Sequence, residues 1–408
     1  MDKDLKSKTF GEIERLVVGL GQKKYIADYI FGFIHTKGAA NLAAITPLSK
    51  SFRSRLTEQG YFISALETVD KLTDPDGTVK YVFGLPASAS LDASRGDGPD
   101  GGRTRLGEGA TLSKKALEAP SRSRIESVLL FSTGRLSADD GRHTLCVSTQ
   151  VGCGMGCVFC ATGRLGLARN LTTAEIVDQV NVIADCGVPI SDCKKISNQQ
   201  SEISNRITNI VFMGMGEPLA NYDAVLTAVR ILNHPKGKNI GIRRLTISTC
   251  GLPEAIERLA DEDIQPRLAI SLNAPTDAIR QKLMPIAGKY PLDRLMQAVR
   301  LYQRKTRNRV TFEYCMIKGV NDTALHARLL VKRVRGVLCN VNLIEYNPHI
   351  GCKMQPSSIE AIERFARVLK GSGLETTVRL KMGQTINAAC GQLGADAAYK
   401  EQRTAYSV

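Results

Sequence analysis

The sequence contains no tryptophan, and aromatic residues make up only 5% of its 408 residues. RNA-binding domains of the RRM kind stack bases on exposed aromatic side chains, so this composition offers no evident stacking platform. No uninterrupted apolar run reaches the roughly 20 residues that a membrane-spanning helix needs, and the N-terminal stretch MDKDLKSKTFGEIERL has no apolar signal-peptide core. These absences predict a cytoplasmic protein that does not cross a membrane.

Cysteine is too sparse for a secreted disulfide scaffold, because the 11 cysteines are an odd number in a chain of 408 residues. A reducing compartment is therefore expected. Basic residues are in excess, since 55 Lys and Arg against 40 Asp and Glu give a formal net charge of +15. Such an excess invites a polyanionic partner such as a nucleic acid, with a charge that only maintains solubility as the open alternative.

The chain divides into segments of different pattern. Residues 1–62 alternate amphipathic stretches with turn signals and predict a small helical domain. Residues 63–140 contain two β-like runs, TVKYVFGL and IESVLLF, which predict a β-hairpin extension. The polar segment 86–123 between those runs cannot bury enough apolar surface to order itself, so a flexible insertion is expected there. Residues 141–390 form the main domain, and residues 391–408 form a C-terminal tail. In the helical domain, one buried helix face is predicted from the spacing of Tyr25, Ile26, Tyr29, Ile30 and Ile34.

The main domain repeats a short apolar strand followed by a helix about six times. This alternation predicts an α/β fold whose parallel sheet curls into a whole or partial barrel. A helix is expected to start after Thr172 or Thr173, with Glu175 in its first turn. A second polar insertion, at 192–206, lies away from the carboxyl ends of the strands, where ligands gather in such sheets. Polar or loop residues that follow predicted strands are Gly216 and Glu217 in GMGEP, Ser248, Ser271, Leu272, Asn273 and Asn347.

Three cysteines, Cys153, Cys157 and Cys160, form a CxxxCxxC triplet within a glycine-rich stretch. Glycine lets the backbone turn tightly, so this stretch could wrap one inorganic cluster. A 4Fe-4S cluster held at three of its irons would leave the fourth free for a substrate or cofactor. Zinc is an alternative that wants a fourth ligand, and no CxxC partner pair follows. Incidental buried cysteines are the third possibility, and the spacing favours the cluster.

With this triplet after the first barrel strand and GMGEP after the second, the chain resembles radical S-adenosylmethionine (SAM) enzymes. It is most similar to the RlmN and Cfr family of RNA adenosine methyltransferases. The shared stretches are CVSTQVGC, CVFCATG, FMGMGEPLANYD, LTIST, NLIEYNP and INAACGQL. The resemblance extends over most of the chain and includes the N-terminal helical domain. It implies a partial (β/α)6 radical SAM barrel, with the helical domain and the β-hairpin as additions.

The resemblance also implies a reaction in which protein and RNA are joined covalently. Carbons 2 and 8 of adenine are electron-poor and do not attack the electrophilic methyl group of SAM, so a radical route is required. SAM would first methylate the thiolate of Cys390. A second SAM, bound at a 4Fe-4S cluster on the triplet, would supply the radical that activates this methyl group for addition to adenine. Glu126 is implied as the base, and Cys146 is implied to attack Cys390, forming a transient disulfide that frees the methylated base.

The SAM contacts implied by the resemblance are Gly216, Glu217, Ser248, Ser271, Leu272, Asn273 and Asn347. The carboxylate of Glu217 suits the ammonium group of SAM, whereas amides and hydroxyls suit its ribose and carboxylate. Asn273 departs from the histidine common in the family, and an amide can hydrogen-bond but cannot titrate. The insertion at 86–123 is longer than the family usually has. If it disturbed the hairpin, the role of Glu126 would be the first to fail.

The implied function is methylation of carbon 2 of an adenosine in 23S rRNA and also in tRNA. A flavodoxin or ferredoxin would donate the electrons, and the protein would act as a monomer. Cfr-type methylation at carbon 8 stays open, as does a catalytically silent iron-sulfur RNA-binding protein. The presence of the triplet together with Cys146 and Cys390 argues against the silent protein. The cysteines that match no motif are expected to fill the core, and they are Cys186, Cys193, Cys250, Cys315, Cys339 and Cys352.

Overall fold

The computed structural model describes residues 2–85, 124–131, 141–185, 207–379 and 381–396. The expected insertions at 86–123 and 192–206 lie outside these residues, as does most of the expected tail. The helices are α1 (Phe10–Gly19), α2 (Ile26–His35), α3 (Lys50–Glu58), α4 (Ala161–Arg164), α5 (Thr173–Asp185), α6 (Tyr222–Asn233), α7 (Pro253–Leu259), α8 (Asp277–Leu283), α9 (Leu292–Thr306), α10 (Ala324–Arg333) and α11 (Ile359–Gly371). The strands are β1 (Glu67–Thr73), β2 (Val79–Gly84), β3 (Arg124–Phe131), β4 (His143–Cys146), β5 (Gln150–Gly152), β6 (Leu167–Asn170), β7 (Asn209–Phe212), β8 (Leu245–Thr249), β9 (Arg267–Ser271), β10 (Val310–Met316), β11 (Cys339–Glu345) and β12 (Glu375–Arg379).

Ten of the described strands form one sheet in the order β1-β2-β3-β4-β7-β8-β9-β10-β11-β12. The pairs from β1 to β4 are antiparallel, and those from β4 through β7 to β12 are parallel. β4 and β12 stand at the two ends of the parallel part, and the other neighbour of β4 is β3. The barrel is therefore open, which confirms the predicted α/β fold with a partial barrel. Among the described residues, no helix is both long and apolar enough to cross a bilayer.

The predicted hairpin is present, with β2 paired antiparallel to β3 along the full length of β2. The register runs from Val79 opposite Leu129 to Gly84 opposite Arg124. The strands are thus paired up to the residues that flank the insertion, so the hairpin that carries Glu126 is undisturbed in the described residues. The sequence reasoning missed β1, which adds a further antiparallel strand next to β2. Its polar composition, ETVDKLT, hid it, because one edge strand needs little apolar surface.

Helix α5 begins with the capping pattern that the sequence predicts. The hydroxyl of Thr172 accepts a hydrogen bond from the Glu175 backbone NH at 3.2 Å, and the Glu175 carboxylate accepts one from the Thr172 NH at 2.9 Å.

The predicted buried face of α2 was partly wrong. Ile30 and Ile34 are fully buried, but Tyr25 and Tyr29 are 51% and 39% exposed. Their phenol hydroxyls favour contact with water. The buried face of α2 therefore includes Phe31 and not the two tyrosines.

The N-terminal helices and the barrel share one apolar core, and a buried ion pair joins them. Lys6 Nζ lies 2.5 Å from Asp178 Oδ1 on α5, and both side chains are only 4% exposed. The other oxygen of Asp178 accepts a hydrogen bond from the Leu66 NH at 2.6 Å. Burial raises the pKa of Asp178, while the Lys6 charge and these hydrogen bonds lower it. This contact packs the N-terminal segment against the barrel. The division of the chain into domains stays a prediction.

Removing the ammonium of Lys6 would leave Asp178 buried without its countercharge. We expect Lys6→Met to lower the free energy of unfolding by about 3–5 kcal/mol, as usual for breaking one side of a buried pair. Urea unfolding of the apo-protein at pH 7 measures this change. Lys24→Met is the matched control, because Lys24 pairs with Glu14 while 70% exposed and should cost below about 1 kcal/mol. Equal losses in the two variants would contradict the prediction.

Candidate active site

The cysteine triplet lies on a loop closed by the short antiparallel pair β5 and β6. Gly152, at the end of β5, has φ of 72°, and a Cβ there would lie 1.9 Å from the Gly166 carbonyl oxygen. Only glycine therefore fits, and the Cys153 NH donates to that same carbonyl at 2.8 Å. Helix α4 begins directly after Cys160. The loop thus returns on itself and holds the three cysteines within one compact turn.

Burial makes the three thiols hard to ionise without a cation. It raises the pKa of Cys153 to about 12 and that of Cys157 well above its ordinary value, and neighbouring cysteine thiolates add to both shifts. The pKa of Cys160 is also raised, chiefly by burial. Among the described residues, no three His, Cys, Asp or Glu side chains converge on the position of a single metal ion. An all-thiol donor set that needs positive charge nonetheless fits an iron-sulfur cluster, which brings its own cationic irons.

The GMGEP loop after β7 packs directly against the segment that follows β4. The Met215 NH donates to Ser148 Oγ at 2.8 Å, and the Glu217 NH donates to Gln150 Oε1 at 2.8 Å. Gly216 has φ of 104°, and a Cβ there would lie 2.6 Å from Gln150 Cβ. The turn therefore needs glycine both for its backbone angle and for its close contact.

Because this turn presents Gly216 and Glu217 as expected SAM contacts, a methyl group at Gly216 should impair SAM binding. We expect Gly216→Ala to raise the SAM dissociation constant at least about tenfold, equivalent to 1.4 kcal/mol. Isothermal titration calorimetry of the reconstituted protein measures it. Gly288→Ala is the control, since its φ is unremarkable and a Cβ would meet nothing within 4 Å. Wild-type affinity in Gly216→Ala would remove the turn from the SAM site.

Glu217 is buried and bridges two neighbouring strand ends. Its carboxylate accepts hydrogen bonds from the Leu219 NH at 3.0 Å and from the Cys250 NH at 2.7 Å. Burial raises the pKa of Glu217, and these backbone bonds lower it. The side chain thus ties the GMGEP loop to the end of β8. Its contact with the ammonium group of SAM stays a prediction.

The other expected SAM contacts lie at the carboxyl ends of their strands. Ser248 is the penultimate residue of β8, and Ser271 is the last residue of β9. Leu272 is fully buried. Asn273 has φ of 57°, a left-handed conformation that asparagine tolerates, and its Oδ1 accepts from the Cys315 NH at 2.9 Å. The Asn273 amide therefore has a structural contact to the end of β10, consistent with a hydrogen-bonding and non-titrating residue.

The structure brings the C-terminal motif onto the cysteine loop. Asn347 Nδ2 donates to the Cys390 carbonyl at 3.1 Å, and the Ala161 NH donates to the Gly391 carbonyl at 2.8 Å. The Thr162 hydroxyl donates to the Leu393 carbonyl at 2.6 Å. Residues 390–393 thus lie against Asn347 and the end of the cysteine loop, and Cys390 is exposed.

Cys146, the last residue of β4, lies within electrostatic range of Cys390. Burial raises the pKa of Cys146 to about 12, the Cys390 charge raises it further, and Arg379 lowers it. Arg379, at the end of β12, lies 3.9 Å from Glu313 Oε2. Its own pKa is raised, first by Cys390. Arg379 therefore interacts electrostatically with both thiols. Sequence reasoning missed it, although a basic residue at the end of the last strand was a usable signal.

Glu126 is 1% exposed and lies in a buried charged group with Lys80, its diagonal neighbour on β2. Lys80 Nζ is 3.7 Å from Glu126 Oε2 and 3.4 Å from Asp396 Oδ2. The Gly394 NH donates to Glu126 Oε2 at 3.1 Å. Glu126 Oε1 is buried and has no hydrogen-bond partner among the described residues. One carboxylate oxygen is thus anchored by the C-terminal segment, and the other is available.

The unassigned cysteines behave only partly as predicted. Cys250 and Cys339 are buried at 6% and 7% exposure, which confirms core positions for both. Cys315 and Cys352 are only partly buried, and both pack in the apolar cluster that also contains Cys157. Cys186 and Cys193 lie outside the described residues. Cys250 belongs to the same apolar cluster, so three of these cysteines pack beside the cysteine loop, a position that no local motif indicated.

Two family models match the chain, one in its N-terminal helical segment and one in its barrel. Residues 3–61 match the family model of the ribosomal RNA large subunit methyltransferase N-terminal domain, and residues 147–330 match that of the radical SAM superfamily. The probable dual-specificity RNA methyltransferase RlmN of Thermotoga neapolitana is 38% identical over 392 residues, which cover 96% of this chain and 97% of the relative.

A second relative is the ribosomal RNA large subunit methyltransferase N of Nitrosopumilus maritimus, 38% identical over 94% of this chain and 96% of the relative. A solved radical SAM methyltransferase from Sphaerobacter thermophilus is 37% identical, with a TM-score of 0.77 over 97% of this chain and 100% of that one. Identity of this extent spans the helical segment, the barrel and the C-terminal motif. The chain belongs to the RlmN family of radical SAM RNA methyltransferases.

Proposed function

We propose that the protein methylates carbon 2 of an adenosine in 23S rRNA and in tRNA. The triplet Cys153, Cys157 and Cys160 would hold a 4Fe-4S cluster, and the strand ends would bind SAM. The names of the relatives support RNA as the substrate, and the dual specificity in one of those names supports two RNA classes. Electrons would come from a small redox protein such as a flavodoxin or ferredoxin, and the protein would act as a monomer.

One observation carries this proposal: Cys146 and Cys390 share one charged environment next to the cysteine loop. Each thiol acts electrostatically on Arg379, and Cys390 is anchored to the site through Asn347. A protein that only bound RNA would need neither thiol, and it would not need an arginine that interacts electrostatically with both. Two free thiols with a common cation are what a thiol exchange requires.

The residues would then act in sequence. Cys390 carries the methyl group as a thioether at the exposed edge of the site, where an adenine can reach it. The bound cluster and SAM supply the one-electron chemistry that activates this group. Once the transferred carbon is bonded to adenine, the radical adduct would give up one electron to the redox partner, and the free oxygen of Glu126 would accept a proton from the adduct.

Release follows from the position of Cys146. The Cys146 sulfur would attack the Cys390 sulfur, and the bond between that sulfur and the transferred carbon would break. The electron pair would stay with the transferred carbon, which would take up a proton from solvent to complete the methyl group. The Cys146–Cys390 disulfide must then take up two electrons and two protons from a thiol reductant before the next cycle. Arg379 favours the attacking thiolate, because its positive charge lowers the pKa of Cys146.

The test is anaerobic reconstitution with iron and sulfide, followed by incubation with SAM, dithionite and rRNA or tRNA fragments. Digested nucleosides are separated by chromatography against 2-methyladenosine and 8-methyladenosine standards and then weighed by mass spectrometry. The 2-methyl isomer supports the proposal, whereas the 8-methyl isomer replaces it with the Cfr-type reaction. Unmodified adenosine in the presence of a loaded, reducible cluster would favour the silent RNA-binding protein.

A further inference from the structure

Arg280, on the short helix α8, is completely buried, and its hydrogen bonds in the described residues go to neutral groups. Its Nε donates to the Leu272 carbonyl at 3.2 Å, and its Nη2 donates to the Cys250 carbonyl at 2.5 Å. These carbonyls follow β9 and β8, so the guanidinium lies between two strand ends of the site. Its Nη1 is buried and has no hydrogen-bond partner among the described residues.

Helix α8 packs on the cysteine loop, which brings this cation to a predicted cluster ligand. The Val158 NH, next to Cys157, donates to the Leu283 carbonyl at 3.0 Å. Leu283 is one helical turn after Arg280. Cys157 itself packs in an apolar cluster with Leu283, Met284 and Cys250. Charges in such surroundings interact strongly, because little water is present to screen them.

Among the described residues, ionisable groups act on Arg280 from the end of β8, from the cysteine loop and from its own helix α8. Burial lowers the pKa of its guanidinium, and Cys250, Cys157 and Asp277 act in the opposite direction. Asp277 lies one turn earlier on the same helix, where its Oδ1 accepts from the Leu292 NH at 2.7 Å. Glu217 is a second carboxylate near Arg280, because it accepts a hydrogen bond from the Cys250 NH while Arg280 donates to the Cys250 carbonyl.

A buried arginine stays charged, and a buried charge without a nearby anion is strongly destabilising. Carbonyl dipoles offset part of this cost. The unpartnered Nη1 shows that the described side chains leave the guanidinium incompletely satisfied. A thiolate at Cys157 provides the missing negative charge, and Cys157 is ionised when it holds iron.

We propose that Arg280 is a positioning residue of the iron-sulfur centre, whose charge stabilises the Cys157 thiolate and favours the reduced state of the cluster. The inference rests on the proposed function only in assigning the triplet as cluster ligands. Reduction adds one electron to a centre already surrounded by three thiolates. A fixed buried cation therefore stabilises the reduced state more than the oxidised one.

The test measures the cluster midpoint potential by anaerobic redox titration followed by electron paramagnetic resonance, without SAM. Arg280→Gln should lower the reduction equilibrium constant about tenfold, which corresponds to 59 mV for one electron. Arg280→Lys keeps the positive charge but loses the hydrogen bonds to two backbone carbonyls. The reduction equilibrium constant of this variant should therefore stay within about threefold of wild type. A purely structural role would reduce cluster content in both variants and leave the potential of the bound clusters unchanged. That outcome overturns the inference.

Asp277→Asn provides a second variant that leaves Arg280 in place. Its Oδ1 can still accept from the Leu292 NH, but the charge that offsets the guanidinium is gone. The reduction constant should therefore rise, by about threefold, opposite to Arg280→Gln. If Arg280→Gln does not fold, an unchanged potential in Asp277→Asn overturns the inference. Iron and sulfide analysis of the wild type separates failure of this inference from failure of the proposed function. If the wild type bound no cluster, the assignment of the triplet as cluster ligands would itself be rejected.

Discussion

Cys146→Ala is expected to trap the protein on its RNA, so that a covalent adduct accumulates and free methylated RNA falls at least about 100-fold. The reason is the position of the thiol. Cys146 ends β4 and lies within electrostatic range of Cys390 and Arg379, which it would need for attack on the Cys390 sulfur. Alanine removes that attack but leaves Cys390 able to carry the methyl group and bond to adenine.

The adduct is measured on denaturing gels with labelled RNA, and its mass and crosslinked residue are measured after nuclease digestion. Cys390→Ala should form no adduct and no product, because it lacks the atom that carries the transferred carbon. Cys339→Ala is the matched thiol control, since Cys339 is a buried core residue of β11. It should behave as wild type.

If Cys146→Ala and Cys390→Ala both stayed free of RNA under conditions in which wild type turns over, the proposed exchange would be wrong. The transferred methyl group would then not pass through Cys390. Adduct in the Cys339→Ala protein alone would likewise point to a different thiol. The three variants thus assign the sulfur chemistry without relying on loss of activity alone.

Local sequence signals were sufficient for the parts of the site that depend on backbone shape. The glycine spacing of the triplet predicted a tight loop, and Gly152 has the positive φ and close carbonyl contact that require glycine. Strand periodicity placed Ser248 and Ser271 at strand ends, because the carboxyl ends of parallel strands lie on one edge of the sheet. These features depend on residues close together in the chain.

The charged partners could not be predicted in the same way, because they depend on contacts between distant segments. Lys80 in TVKYVF would normally face water, yet it is fully buried since Asp396, 316 residues later, packs over it. Arg280 lies in a seven-residue helix with no motif, and its burial arises only when α8 packs on the cysteine loop. Burial of charge is a tertiary property, so no local pattern specifies it.

The second large effect concerns Glu126, whose buried environment suits the removal of a proton in the adduct. We expect Glu126→Gln to lower product formation about 10²–10⁴-fold, the usual contribution of a general base. The amide oxygen can keep the hydrogen bond from the Gly394 NH, so the shape of the site is retained. What is lost is the capacity of the unpartnered oxygen to accept a proton. Single-turnover nucleoside analysis measures product, and denaturing gels measure the adduct.

Asp396→Asn separates this role from charge balance around Lys80. Asp396 contacts the same ammonium as Glu126, and its Oδ1 accepts from Asn387 Nδ2 at 3.0 Å, a bond that asparagine can also accept. Both variants remove one negative charge beside Lys80, but only one removes the base. Asp396→Asn should therefore keep product formation within about fivefold of wild type, far less than the loss of a general base. If the two variants lose activity equally, while unfolding and iron content match wild type, Glu126 serves only to compensate Lys80 and the proton leaves by another group.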